Sequence, residues 1–171
     1  LTRDVAVFGV TLAPLNPLER QRYARWRAVA SELHLPCIFE VGGEDGLPLA
    51  ENFAACDRVL TTSLAEGFGL VFLEACLSQR PLIGRDLPEV TSDFVQRGVT
   101  FTGLHSRVDV PVAWLGRQEL LDMLARAFNS TVEAYGRQPL VLQDQGDILD
   151  RRLRNDCIDF GDLDAALQER V

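Results

Sequence analysis

The chain has 171 residues and a mass of 19.0 kDa, with 47% apolar and 25% charged residues, the proportions of a folded domain and not of a disordered chain. All 17 basic residues are Arg, which excludes a Schiff-base lysine, a P-loop lysine and a catalytic lysine pair. A net charge of −8 and a pI near 4.7 argue against nonspecific binding to nucleic acid or to an anionic membrane, since both need a basic surface.

The arginine clusters at Arg20, Arg22, Arg25 and Arg27, and at Arg151, Arg152 and Arg154, read as solvated helix faces. No run of 18 apolar residues is present, so no transmembrane segment is expected. The first residues show no basic-then-apolar leader pattern. Cys37, Cys56, Cys76 and Cys157 have neither paired nor metal-ligand spacing, and a reducing cytoplasm is expected. His34 and His105, the only histidines, have no nucleophile near them in sequence and read as structural or surface residues.

In chain order, Val5-Ala6-Val7-Phe8-Gly9-Val10 is a short apolar run of the kind found in a strand buried on both faces. Asn16, Pro17 and Glu19 form a helix start, with Trp26, Ala30 and Leu33 following at helical spacing and Pro36 ending the run. Residues 37–41 make a second strand closed by Gly42-Gly43, residues 49–56 a short helix, and residues 58–62 a third strand. An apolar helix carrying Val71, Phe72, Ala75 and Cys76 comes next, then a fourth strand at 81–84. Asp86, Pro88 and Glu89 mark a further helix start, whose buried stripe is Val90 and Phe94.

Such alternation with short connections predicts parallel strands joined by right-handed crossovers, hence an α/β fold with a doubly wound, Rossmann-like parallel sheet and helices on both faces. Ligands of such sheets bind beyond the carboxyl ends of the strands. Further along, residues 108–115 read as an irregular or extended connection. Residues 119–135 read as a helix with Leu120, Leu121, Leu124, Phe128 and Val132 on one side, closed by Gly136 and Pro139. The acidic tail reads as surface apart from a short helix at 163–170.

The chemistry concentrates in Glu66-Gly67-Phe68-Gly69-Leu70-Val71-Phe72-Leu73-Glu74. Two glycines at a strand-to-helix junction let backbone N–H groups approach a ligand, and the next helix offers its positive end to an anion. Glu66 and Glu74 can both accept hydrogen bonds from the hydroxyls of one polyol-bearing ligand. The same residues also fit a structural turn, because Ser63 to Glu66 matches a capping box. A helix begun directly after Ser63 would carry Gly67 and Gly69 at about 1 kcal/mol each relative to Ala. On the residues alone both readings stay open.

Thr62-Ser63, Glu66-Gly67-Phe68-Gly69-Leu70 and Glu74-Ala75, followed by Arg80-Pro81-Leu82-Ile83 and Leu87-Pro88-Glu89, closely resemble the C-terminal domain of retaining GT-B glycosyltransferases with the Glu-x7-Glu motif. Likeness in element order runs from about residue 5 to residue 96. The resemblance implies one half of a GT-B fold, with a nucleotide-sugar-binding domain at 1–135. The tail at 136–171 would pack on that domain or toward a missing N-terminal domain. It further implies a UDP- or GDP-sugar donor whose glycosyl group passes to an acceptor with retention. Glu66 would lie at the donor sugar as the catalytic residue, the backbone of Gly67, Phe68, Gly69 and Leu70 against sugar and diphosphate, and Glu74 at the ribose hydroxyls. Base contacts are expected from the loop at 39–43, and no cofactor or metal is implied.

The family usually holds the diphosphate with an Arg and a Lys for which this chain has no match, and neither Arg3 nor Arg85 has the spacing to replace them. The simpler explanation is that the first strand-helix unit and the acceptor domain lie outside this chain, leaving it inactive alone; a binding domain that has lost the pair is the other. A nucleotide-sugar epimerase of the same architecture and a non-catalytic interaction domain are the competing functions. Asp159-Phe160-Gly161 lacks the other kinase elements, and Asn129-Ser130-Thr131 falls within a predicted helix. The aspartates from 144 to 164 lack the order of a calcium loop.

Overall fold

A computed structural model of the chain describes residues 6–138 and 145–171. Two compact units divide between Leu104 and His105. The first alternates strand and helix: β1 (Phe8–Val10), α1 (Pro17–Glu32), β2 (Cys37–Phe39), α2 (Leu49–Ala55), β3 (Val59–Thr61), α3 (Leu70–Leu77), β4 (Leu82–Arg85), α4 (Pro88–Gln96) and β5 (Gly103–His105), the last straddling the division. The fold is mixed α/β with small parallel sheets. β1 runs parallel to β2 with Phe8 opposite Cys37 and Val10 opposite Phe39. β3 runs parallel to β4 with Val59 opposite Leu82, and β5 lies on the other side of β4. Among the described residues no ladder joins the two sheets.

The helices form where the pattern places them. Pro17 opens α1 with its fixed φ, and Tyr23, Trp26, Val29 and Ala30 make its inner face while Leu33 lies beyond its end, exposed. No α2 residue is buried. That helix is held by polar ties instead: Asn52 Nδ2 donates to Leu47 O at 2.7 Å, and Arg80 donates to Phe53 O at 2.9 Å and Ala54 O at 2.6 Å. Phe72 and Ala75 of α3 meet Leu82 and Leu87 in a core flanked by Val90, Phe94 and Phe101. At Gly84 a Cβ would come within 2.5 Å of Thr61 Cγ2 and O, so only glycine lets β3 and β4 approach. Asp86 does not cap α4 as the sequence suggests. Leu87 holds the N-cap position without a side-chain bond, and Asp86 Oδ1 instead accepts from the buried Thr91 hydroxyl at 2.6 Å.

The second unit holds β6 (Asp109–Pro111), α5 (Val112–Leu115), α6 (Arg117–Ala134), α7 (Gln145–Arg152), β7 (Cys157–Asp159), a 3-10 turn (Phe160–Asp162) and α8 (Ala165–Gln168). β6 and β7 pair antiparallel, Val110 opposite Ile158. Pro139, expected to close the preceding helix, and Asp144 lie outside the described residues. The sequence pattern divides the chain at 135/136, whereas α6 packs with the elements C-terminal to it: Leu120, Met123 and Leu124 share one core with Val110, Leu115, Leu149, Ile158, Leu163 and Leu167.

The acidic tail is therefore not surface. Leu149, Ile158, Leu163 and Leu167, spaced four to nine apart, turn inward, while several of the aspartates serve as caps and ion-pair partners. Asp150 pairs with Arg117 at 2.8 Å, Asp164 with Arg126 at 3.2 Å and Asp162 with Arg152 at 3.3 Å. Asp164 caps α8 through the Leu167 amide. Asp159 of the kinase-like triplet is buried and accepts from the Gly161 amide at 3.1 Å and the Val108 amide at 3.4 Å, a structural role. Asn129-Ser130-Thr131 lies inside α6, with the Thr131 hydroxyl donating back to Ala127 O at 2.9 Å.

Candidate functional site

The turn between β3 and α3 carries Glu66, Gly67, Phe68, Gly69 and Leu70. α3 starts at Leu70, after both glycines. The capping-box reading of Ser63 and Glu66 thus gives way to a loop contact: Ser63 Oγ donates to Glu66 Oε1 at 2.6 Å, fixing a half-buried carboxylate ahead of the turn. Gly69 is the N-cap residue at φ 63°, ψ 38°, with no side-chain bond closing the helix. This left-handed conformation favours glycine, and a Cβ there would also land on Val90 Cγ1 and lie 3.3 Å from Phe72 Cδ2. The Phe72 N–H donates to Gly69 O at 3.0 Å, while the leading amides of Leu70 and Val71 belong to the set no α-helix can satisfy internally.

Glu74 stands one turn beyond Leu70 on the same face of α3, half-buried. Glu66 thus precedes the helix start in the chain and Glu74 follows it within α3. Among the described residues no hydrogen bond joins them. Phe68 is 90% exposed and Leu70 is exposed as well. Arg3 lies outside the described residues, and Arg85 ends β4 half-buried.

The 39–43 loop is shaped by a different cluster. Glu40 adopts φ 63°, and its carboxylate accepts from Arg27 at 2.9 Å and from the Tyr23 hydroxyl at 3.5 Å. The Arg27 guanidinium stacks 5.6 Å from the Phe39 ring centre. Desolvation raises the Tyr23 phenol above its ordinary pKa, with Glu40 adding to the shift and Arg27 opposing it. Gly42 N–H donates to Thr11 O at 2.8 Å and Leu47 N–H to Val41 O at 2.9 Å, so these loop amides are spent internally.

Sequence reasoning missed a groove of about 340 Å³ beside the turn, lined by Gly67, Phe68, Glu89, Val90, Asp93, Phe94 and Arg97. The signal was present. Glu89, Asp93 and Arg97 recur every four residues from α4 to its C-cap, a charged stripe beside the Val90–Phe94 stripe. Among the described residues no three His, Cys, Asp or Glu side chains are grouped to hold a metal, and no helix is long and apolar enough to cross a membrane. Comparison with protein-family models, curated proteins and solved structures finds no match to the chain.

Gly69→Ala tests the turn. The left-handed backbone costs a Cβ-bearing residue about 1–2 kcal/mol, and overpacking against Val90 adds about 1–3 kcal/mol. Adding Val90→Ala should recover the second part only, measured as coupling in a double-mutant cycle by urea unfolding. Additive effects of the two changes would contradict the contact.

Proposed function

We propose that the chain is the nucleotide-sugar-binding half of a retaining GT-B glycosyltransferase, taking a UDP- or GDP-sugar and passing its glycosyl group to an acceptor. One observation carries this reading: the Gly-Phe-Gly turn stands clear of the helix, so α3 begins without a side-chain cap, its positively polarised end preceded by the Ser63-held Glu66 and followed one turn on by Glu74. The helix end suits the diphosphate. Glu74 suits the ribose diol, whose hydroxyls make strong charge-assisted bonds to a carboxylate. Glu66, oriented by Ser63, stands at the donor sugar. In the transfer the bond from the anomeric carbon to the diphosphate oxygen breaks, one to an acceptor oxygen forms, and the acceptor proton leaves. Charge on the departing diphosphate would be met by preorganised amides.

Strand order supports the finer fold reading, a doubly wound Rossmann-like sheet. Such sheets run 3-2-1-4-5-6. The pairs β2-β1 and β3-β4-β5 reproduce 3-2 and 4-5-6 if the five strands take the second to sixth places. The first place, between β1 and β3, then belongs to a strand outside the described residues. Phe8 of β1 and Leu60 of β3 are 46% and 50% exposed, although parallel strands are ordinarily covered on both faces. That strand-helix unit is also where the family carries its diphosphate-binding pair, and a preceding acceptor domain would complete the enzyme. The four unpaired cysteines fit a reducing cytoplasm.

Leu70, Leu73 and Leu77 form an exposed apolar stripe along α3, and this favours the second reading, a non-catalytic interaction domain. Glu74→Ala separates the two. Loss of charge-assisted bonds worth about 1.5–3 kcal/mol should weaken UDP or GDP about 10- to 100-fold and leave free sugar unaffected. Unchanged nucleotide affinity would sink the ribose assignment.

A further inference from the structure

We infer that the groove between the Gly67–Phe68 turn and α4 is an interface between two copies of this chain, in which the α4 helices meet antiparallel about a two-fold axis. The inference does not depend on the glycosyltransferase reading. Glu89, Asp93 and Arg97 line the groove and are exposed. None of their side chains makes a hydrogen bond or ion pair among the described residues, although Asp93 and Arg97 stand at a spacing that permits one, and Glu89 and Asp93 repel at the same spacing. The groove therefore offers two unneutralised carboxylates to a cation. Phe68, which lines the same groove and is 90% exposed, adds a ring on which a guanidinium can stack.

The chain supplies that cation itself. From α4 to its C-cap the stripe reads negative, negative, positive at four-residue steps. Glu89 sits in the first turn and Arg97 at the C-cap, the order that the helix dipole favours. Laid antiparallel, two such stripes set Arg97 of each copy against Glu89 of the other, and the two ion pairs lie about 12 Å apart along the helices. Parallel stripes would set like against like at all three positions, so the charge order selects the antiparallel arrangement. The contact is isologous, each copy giving and receiving the same pair. Asp93 falls near the axis, opposite its own counterpart, and that like-charge contact weakens the pairing. One helix face with one protruding ring belongs to the smallest interfaces, below about 1,200 Å², and each copy carries a net charge of −8. The dimer is therefore weak, with a Kd of roughly 10 μM to 1 mM.

The test is sedimentation equilibrium of the whole 171-residue chain at concentrations up to about 1 mM. The expected result is a reversible monomer–dimer equilibrium with no larger species. Glu89→Arg and Arg97→Glu each turn two attractions into repulsions and should weaken the dimer about tenfold or more. The double variant Glu89→Arg/Arg97→Glu carries the same pairs reversed and should return to within about threefold of the parent chain. Asp93→Asn should tighten the dimer by removing the repulsion at the axis, and Phe68→Ala should weaken it. All four positions are exposed, so the variants keep the fold, and urea unfolding of each checks this. A chain that stays monomeric throughout, a dimer indifferent to the single reversals, a double variant as weak as the single ones, or a dimer weakened by Asp93→Asn would each overturn the inference.

Discussion

Phe72→Ala should cost about 3–5 kcal/mol, the usual penalty for emptying the space of a fully buried phenyl ring. Phe72 is 0% exposed. It packs with Ala75, Leu82 and Leu87 and meets Phe101 edge-on, ring centres 5.9 Å apart and planes at 83°. Phe101 in turn meets Phe94 of α4 at 6.0 Å. The ring therefore fixes the helix that bears Glu74 relative to the helix that walls the groove. Whole domains are stable by only about 5–15 kcal/mol, so the change should move the urea midpoint far. Phe68→Ala, four residues earlier and exposed, should fall within about 0.5 kcal/mol. Two phenylalanines of one motif thus divide their work: one packs, the other faces solvent. A loss below about 1 kcal/mol at Phe72 would contradict the packing of α3.

Leu149→Ala should cost about 2–5 kcal/mol, although it sits in a segment whose composition reads as solvated. Leu149 is 0% exposed in α7 and packs in the core built with α6 and β7. The nearby Arg151 is exposed, with its Nε donating to Asp147 O at 3.1 Å, and Arg151→Ala should lie within about 0.5 kcal/mol. Urea unfolding of the two variants decides the matter. Equal, small effects would restore the surface reading of the tail, and a large loss confined to Leu149 would confirm its place in the core.

The elements up to α4 were legible because their signals are local. Apolar runs bounded by Gly and Pro gave β1 to β4 to within a few residues, and Pro17 and Pro88 stand at the first positions of α1 and α4. The two glycines placed the start of α3, since a helix containing both would be weakened twice over. Strand pairing was not legible, because periodicity shows which segments extend but not which edges meet. Asp86 misled for a related reason: an aspartate before a proline fits a cap, but a buried threonine hydroxyl one turn later competes for its oxygen. The tail misled through composition. Ile158, Leu163 and Leu167 are scattered in a stretch rich in acids, and their common core exists only once α6 is folded against them. At the site, Glu66, Gly67, Phe68, Gly69, Leu70 and Glu74 were readable as one stretch. The sequence shows Glu89, Asp93 and Arg97 as a charged stripe, but not that the turn lies beside it.

The most direct measurement of nucleotide-sugar binding is calorimetric titration of the folded chain with UDP, GDP and ADP, with Glu74→Ala as the comparison. The account expects saturable binding of UDP or GDP at one site per chain, weakened about tenfold or more in the variant. The absence of saturable binding by any of the three, in a chain that still unfolds cooperatively, would contradict it.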